Sequence, residues 1–186
     1  MKTILKVALL CLCLMASSCK PSPQKAENYY DEVTAPIQTV LGKEDELIRI
    51  INVEMGKSQK DALSKATKTE TESKEIDFAF TNLQLQVTTS LNQLKMIKDF
   101  DGKSVLKNSA VELLNEYKNV CGNEYARLLA IVKIPSADYT NEHDNEFLKL
   151  TEIIDNKLQG KVTNFTKEVK VFAAEYKFAL AKDSIK

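Results

Sequence analysis

The stretch 147–176, FLKLTEIIDNKLQGKVTNFTKEVKVFAAEY, places Phe147, Leu150, Ile154, Leu158, Val162, Phe165, Val169, Phe172 and Tyr176 at intervals of three and four. Side chains so spaced share one face of an α-helix, whereas a half-buried strand alternates by two. The near-seven period persists through Gly160. A long helix with one apolar face buries that face against other elements. Glu142, Asp144 and Glu146 precede the stripe, where acids suit the positive end of a helix dipole.

Three earlier stretches carry the same pattern. Tyr30, Val33, Ile37, Val40, Leu47, Ile51 and Met55 predict a helix from Lys25 to near Gly56, with Pro36 either kinking it or standing in its first turn. Ser58 with Asp61 resembles a helix N-terminal cap. The polar segment 59–74 reads as a loop or as a solvated helical extension. Ile76, Phe80, Leu83, Val87, Leu94 and Ile97, widened by Leu91 and Phe100, give a second helix closed by Asp101-Gly102. Phe100 is expected to plug the end of the core.

Ser104 stands where it can cap a third helix, whose stripe is Leu106, Ala110, Leu113, Tyr117, Val120, Cys121, Leu128 and Ile131. Val105, Leu114, Leu129 and Val132 flank it, and Pro135 stops it. Strand signals are absent. The expected fold is all-α: an antiparallel up-down-up-down four-helix bundle over 25–186, with long helices crossing at about +20°.

The N-terminus reads differently. Lys2 and Lys6 precede the apolar run Val7–Leu14, and Ala16-Ser17-Ser18 lead into Cys19. A basic start, a short apolar core and small residues make a secretory leader, since a spanning helix needs about 18 apolar residues. Cysteine directly after the small residues resembles the bacterial lipoprotein pattern, although Ala16 stands where Leu is usual. Residues 1–18 are then expected to be a lipoprotein signal peptide with Cys19 as the lipidation site, the alternative being an ordinary signal peptide with a chance cysteine. Pro21 and Pro23 then make 19–24 a short stiff tether. Lys20 stands where an inner-membrane retention signal would carry Asp, so the expected location is the cell envelope, at the periplasmic or extracellular face of the outer membrane.

Composition narrows the function classes. Lys+Arg and Asp+Glu each number 26, so loss of Lys2 and Lys6 leaves a mature charge of about −2. No basic stripe supports nucleic-acid binding. Of the 4 cysteines, Cys11 and Cys13 leave with the leader and Cys19 is acylated, so Cys121 has no internal disulfide partner. Its seam position makes it a small buried hydrophobe rather than a nucleophile. The 1 histidine, His143, excludes a di-iron bundle site and leaves zinc ligation unsupported. The Glu142–Glu146 segment lacks calcium-loop spacing and reads as a solvated helix start. Tyr29, Tyr30, Tyr117, Tyr125 and Tyr176 either surround a ligand cavity or pack in the core with hydroxyls reaching outward.

Tyr29-Tyr30, the segment from Leu94 to Gly102, Tyr117, Asn123-Glu124-Tyr125 and the segment from Phe172 to Tyr176 carry a resemblance. The chain resembles the helical surface lipoproteins of uncharacterised function found in Bacteroidota and spirochaetes. The resemblance implies a lipoprotein with an antiparallel helical bundle and brings no catalytic residues.

The expectation is therefore a non-enzymatic envelope lipoprotein with no catalytic, cofactor or metal residues. It would be held to the membrane by acyl chains and act as a structural or macromolecule-binding module. The alternative is a periplasmic or surface carrier that holds an apolar small ligand inside the bundle, which would need a cavity of some hundreds of Å³.

Overall fold

The computed structural model describes the backbone of residues 20–64 and 70–180, and the side chains of 20–56 and 74–180. The leader 1–18 and Cys19 lie outside the described residues. The chain is all-α: every regular element among the described residues is helical. Helix α1 is Pro23–Ser64, α2 is Glu70–Met96 and α4 is Asn141–Tyr176. Helix α3 (105–132) joins Val105–Val120 to Ala126–Val132 through a π-helical turn, Cys121–Tyr125.

Helix α1 begins two residues before the expected Lys25. Pro23 occupies the first turn, where its missing N–H is no loss. The Ser22 carbonyl accepts from the Ala26 amide at 3.1 Å, and Ser22 Oγ accepts from the Lys25 amide at 3.4 Å. Pro36 is thus inside the helix, not in its first turn. The buried Ser90 hydroxyl of α2 donates to the Pro36 carbonyl at 3.0 Å and accepts from Gln86 Nε2 at 3.1 Å. This places a polar clasp on the α1–α2 seam beside the proline.

The expected stop near Gly56 does not occur. A closing glycine takes a left-handed conformation, and Gly56 keeps a negative φ, so α1 continues to Ser64. Ser58 therefore lies inside α1 and not at a cap. The segment 59–74 is helical over 59–64 and 70–74, with 65–69 outside the described residues.

Helix α2 ends at Met96, short of the expected close at Asp101-Gly102, so Ile97 and Phe100 lie in the turn that follows and not on the helix. Asp101 and Gly102 both have positive φ, 52° and 69°. Phe100 and Lys103 close the turn with reciprocal backbone hydrogen bonds of 3.1 and 2.8 Å. Ser104 does not cap α3 with its side chain. Its hydroxyl instead accepts from Asn108 Nδ2 at 3.1 Å. Val105, in the first helical position, is 57 % exposed, so it does not flank the core as expected.

The four apolar stripes meet in one core, with Leu47, Leu83, Leu94, Leu113, Leu114, Leu150 and Phe165 almost wholly buried. Polar contacts show which segments face each other. Lys107 Nζ of α3 donates to the Ile97 carbonyl at 3.1 Å, and Lys133 pairs with Asp77 of α2. Between α3 and α4, Lys161 pairs with Glu112 at 3.0 Å, Lys157 with Glu124 at 2.8 Å and Arg127 with Glu146 at 2.6 Å. Exposed pairs such as Arg127 with Glu146 contribute little stability. Burial of the stripes is the dominant favourable term.

Candidate functional site

Helix α1 carries a charge in its buried seam. Glu44 fills the position between Val40 and Leu47, on the same face as both, and is only 9 % exposed. A buried carboxylate needs partners. It has two: Tyr117 Oη donates to Oε2 and Tyr125 Oη to Oε1, each at 2.6 Å. Both phenols come from α3.

The π-helical turn explains how one helix supplies both donors. Eight residues along an α-helix leave two side chains about 80° apart around the axis. A π-turn absorbs one extra residue. Eight residues then behave as seven, and the offset falls to about 20°. Tyr117 and Tyr125 therefore stand in line, with Cys121 buried between them.

The electrostatics follow from burial. Glu44 has its carboxyl pushed up, first by desolvation and then by Asp45 and Asp155, while the two phenol hydrogen bonds pull it down. Both phenols are also raised, first by burial and then by the Glu44 charge. Burial, with Glu44 second, pushes the Cys121 thiol up to about 12. A thiol so raised is a poor nucleophile. Native protein at pH 8 should react with iodoacetamide at Cys121 at least 100-fold more slowly than urea-unfolded protein, read by mass spectrometry; equal rates would show that the thiol is accessible.

A second cluster sits where α1 begins. Phe100 plugs that end of the core, as expected. It stacks on Tyr29 at 5.0 Å and meets Phe172 and Tyr176 edge-on at 5.6 and 5.1 Å. Tyr30 packs on Phe178 at 5.6 Å. Tyr176 Oη donates to Asp101 at 3.0 Å, which ties α4 to the turn. The Tyr29 and Tyr30 hydroxyls are buried with no hydrogen-bond partner among the described residues. Burial, then Asp99 and Glu32, push Tyr29 up to about 12.

Tyr29 lies between two open grooves. One, of about 800 Å³, runs between α1 and the end of α2 and includes Lys25, Glu32, Met96, Lys98 and Asp99. The other, of about 250 Å³, lies between α3 and α4 and includes Lys103, Val105, Val171 and Glu175. A third, about 560 Å³, covers the outer face of the π-turn at Gly122, Asn123 and Lys157. None of the three reaches Glu44, Tyr117, Cys121 or Tyr125.

The five tyrosines thus do not ring a common cavity. Tyr29, Tyr30 and Tyr176 belong to the aromatic end, and Tyr117 and Tyr125 to the carboxylate. His143 closes the first turn of α4, where its Nδ1 accepts the Thr140 amide at 3.0 Å. Neighbouring Asp144 accepts from Tyr139 Oη at 3.0 Å. Among the described residues no group of three or more His, Cys, Asp or Glu is placed to hold a metal. Glu44 and its link to Tyr125 were not anticipated from sequence; the available signal was a carboxylate at a seam position. No known protein family, curated protein or solved structure matches the chain.

Proposed function

We propose that this chain is a non-enzymatic envelope lipoprotein, anchored by acylated Cys19 and acting as a structural or macromolecule-binding helical module. The observation that carries the reading is the leader itself: a basic start, a short apolar core and Ala16-Ser17-Ser18 directly before Cys19. On this reading attachment rests on the acyl chains; no helix among the described residues is long and apolar enough to cross a membrane. The helices are proposed to run up-down-up-down. This is supported by opposed numbering in each contact series: Pro36 with Ser90 and Tyr29 with Phe100, then Glu112 with Lys161 and Arg127 with Glu146.

The site chemistry supports an internal, structural role. Glu44, Tyr117 and Tyr125 satisfy one another, and His143 caps a helix. The carrier reading draws support from one observation, the unpartnered Tyr29 hydroxyl between two grooves. Native mass spectrometry of envelope-extracted protein separates the two readings. A stoichiometric apolar ligand released by denaturation would favour the carrier.

Anchoring is tested by Cys19→Ala. The variant should move from the membrane fraction to a soluble or unprocessed form, and wild-type protein should yield a diacylated or triacylated Cys19 peptide. An unmodified mature N-terminus at another residue would overturn the proposal.

A further inference from the structure

The anchoring reading specifies one end of the molecule. Pro23 opens α1 four residues after Cys19. Four residues span at most about 14 Å. Helix α4, with 36 residues, is about 54 Å long. A tether so short keeps the start of α1 near the bilayer and leaves the far end most of a helix length away. The same end holds the 97–104 turn and the last turn of α4, because Tyr29 packs on both Phe100 and Phe172.

Apolar side chains stand exposed at this end. Met96 is 76 % exposed at the rim of the larger groove, and Val105 and Val171 are 57 % and 51 % exposed at the rim of the smaller one. The charges around them largely cancel. Lys25 and Lys98 share the first groove with Glu32 and Asp99, and beside the second Lys103 is ion-paired with Glu175 while Glu168 has Lys167 at 3.9 Å. This end has little to offer a charged partner, yet the apolar side chains at its two groove rims can settle among lipid head groups while lysine stems reach back to water.

We infer that this end, through Met96, Val105 and Val171, lies against the lipid surface that holds acylated Cys19. The inference rests on the anchoring reading and adds orientation to it. The bilayer fits as the occupant because the tether already holds this end within reach, so a weak apolar contact acts at high effective concentration. Because the contact is apolar, it should not depend on lipid charge or salt.

The test uses full-length acylated protein in phosphatidylcholine vesicles, carrying Met96→Cys or Phe78→Cys labelled with an environment-sensitive fluorophore. Phe78 is 68 % exposed and lies near the start of α2, away from the tether. The label at position 96 should be quenched at least fivefold more by head-group nitroxide lipid than the label at 78. It should keep that difference in 0.5 M salt and with added anionic lipid. Val105→Lys should at least halve it. Equal quenching at 96 and 78 in vesicle-bound protein would overturn the orientation and leave anchoring intact. Quenching that collapses in salt would overturn the apolar contact. Failure of the Cys19 protein to float with vesicles would overturn the anchoring reading, and this inference with it.

Discussion

Glu44→Ala should destabilise the fold by about 2–6 kcal/mol, because it leaves two buried phenols without an acceptor at about 1–3 kcal/mol each. Tyr117 and Tyr125 both direct their hydroxyls at this carboxylate from inside the core, and neither lies on a described groove through which solvent would replace it. Glu44→Gln keeps the shape and one good acceptor, so its effect should be smaller. The informative comparison is the triple variant Glu44→Leu, Tyr117→Phe, Tyr125→Phe. Replacing a whole buried polar group by apolar side chains of similar volume is often neutral or stabilising. Urea unfolding should therefore show the triple variant recovering most of what Glu44→Ala loses. Additive losses across the three positions would show that the cluster contributes through packing that Leu and Phe cannot reproduce.

Glu44 also sets a pH dependence opposite in sign to that of a salt-bridged carboxylate. Its folded-state value is raised above the ordinary 4.5. As pH rises past that ordinary value, the unfolded chain releases the proton first, while the folded chain still holds it. Stability then falls with rising pH until the folded group also ionises, and is flat beyond. Relative to Glu44→Gln, wild type should be at its best below about pH 4.5 and lose ground above it.

The difference between what sequence reveals and what it hides is visible in these same residues. The apolar stripes were legible because burial selects positions at the helical period, and Leu83, Leu113, Leu150 and Phe165 are all buried. Glu44 was not, since an apolar-periodicity reading treats a carboxylate at a seam position as a gap. Tyr125 fits the seam four residues after Cys121, but its alignment with Tyr117 depends on a π-turn that no residue spacing announces. Gly56 and Ser58 misled for a related reason. Their types favour helix ends, yet a helix continues wherever its neighbours remain helical, and propensity is a weak prior against that. Ser104 stands at the start of α3 as expected, but its hydroxyl is engaged with Asn108.

The π-turn makes a second prediction, a pair of single-residue deletions with opposite outcomes. Gly122 and Gly160 are both exposed, helical, and open around the position a Cβ would take, so neither is held by contacts of its own. Removing Gly160 from α4 rotates everything beyond it by about 100°. Phe165, Val169, Phe172 and Tyr176, all buried, would turn off the core together. At about 1.5–3 kcal/mol for each large side chain, the loss rivals the whole stability of an ordinary domain, about 5–15 kcal/mol. The Gly160 deletion should therefore fail to fold, or leave the second half of α4 undocked. Removing Gly122 takes out the residue that the π-turn accommodates. The turn can then close as ordinary α-helix, with Tyr117 and Tyr125 seven apart and still within about 20° of each other. Leu128, Leu129, Ile131 and Val132 would keep their faces toward the core. Circular dichroism melts should show the Gly122 deletion within a few degrees of wild type and the Gly160 deletion without a cooperative transition at the wild-type temperature. Comparable damage from both would mean that the extra residue is built into the packing around Glu44, and that the π-turn is not an insertion the helix can do without.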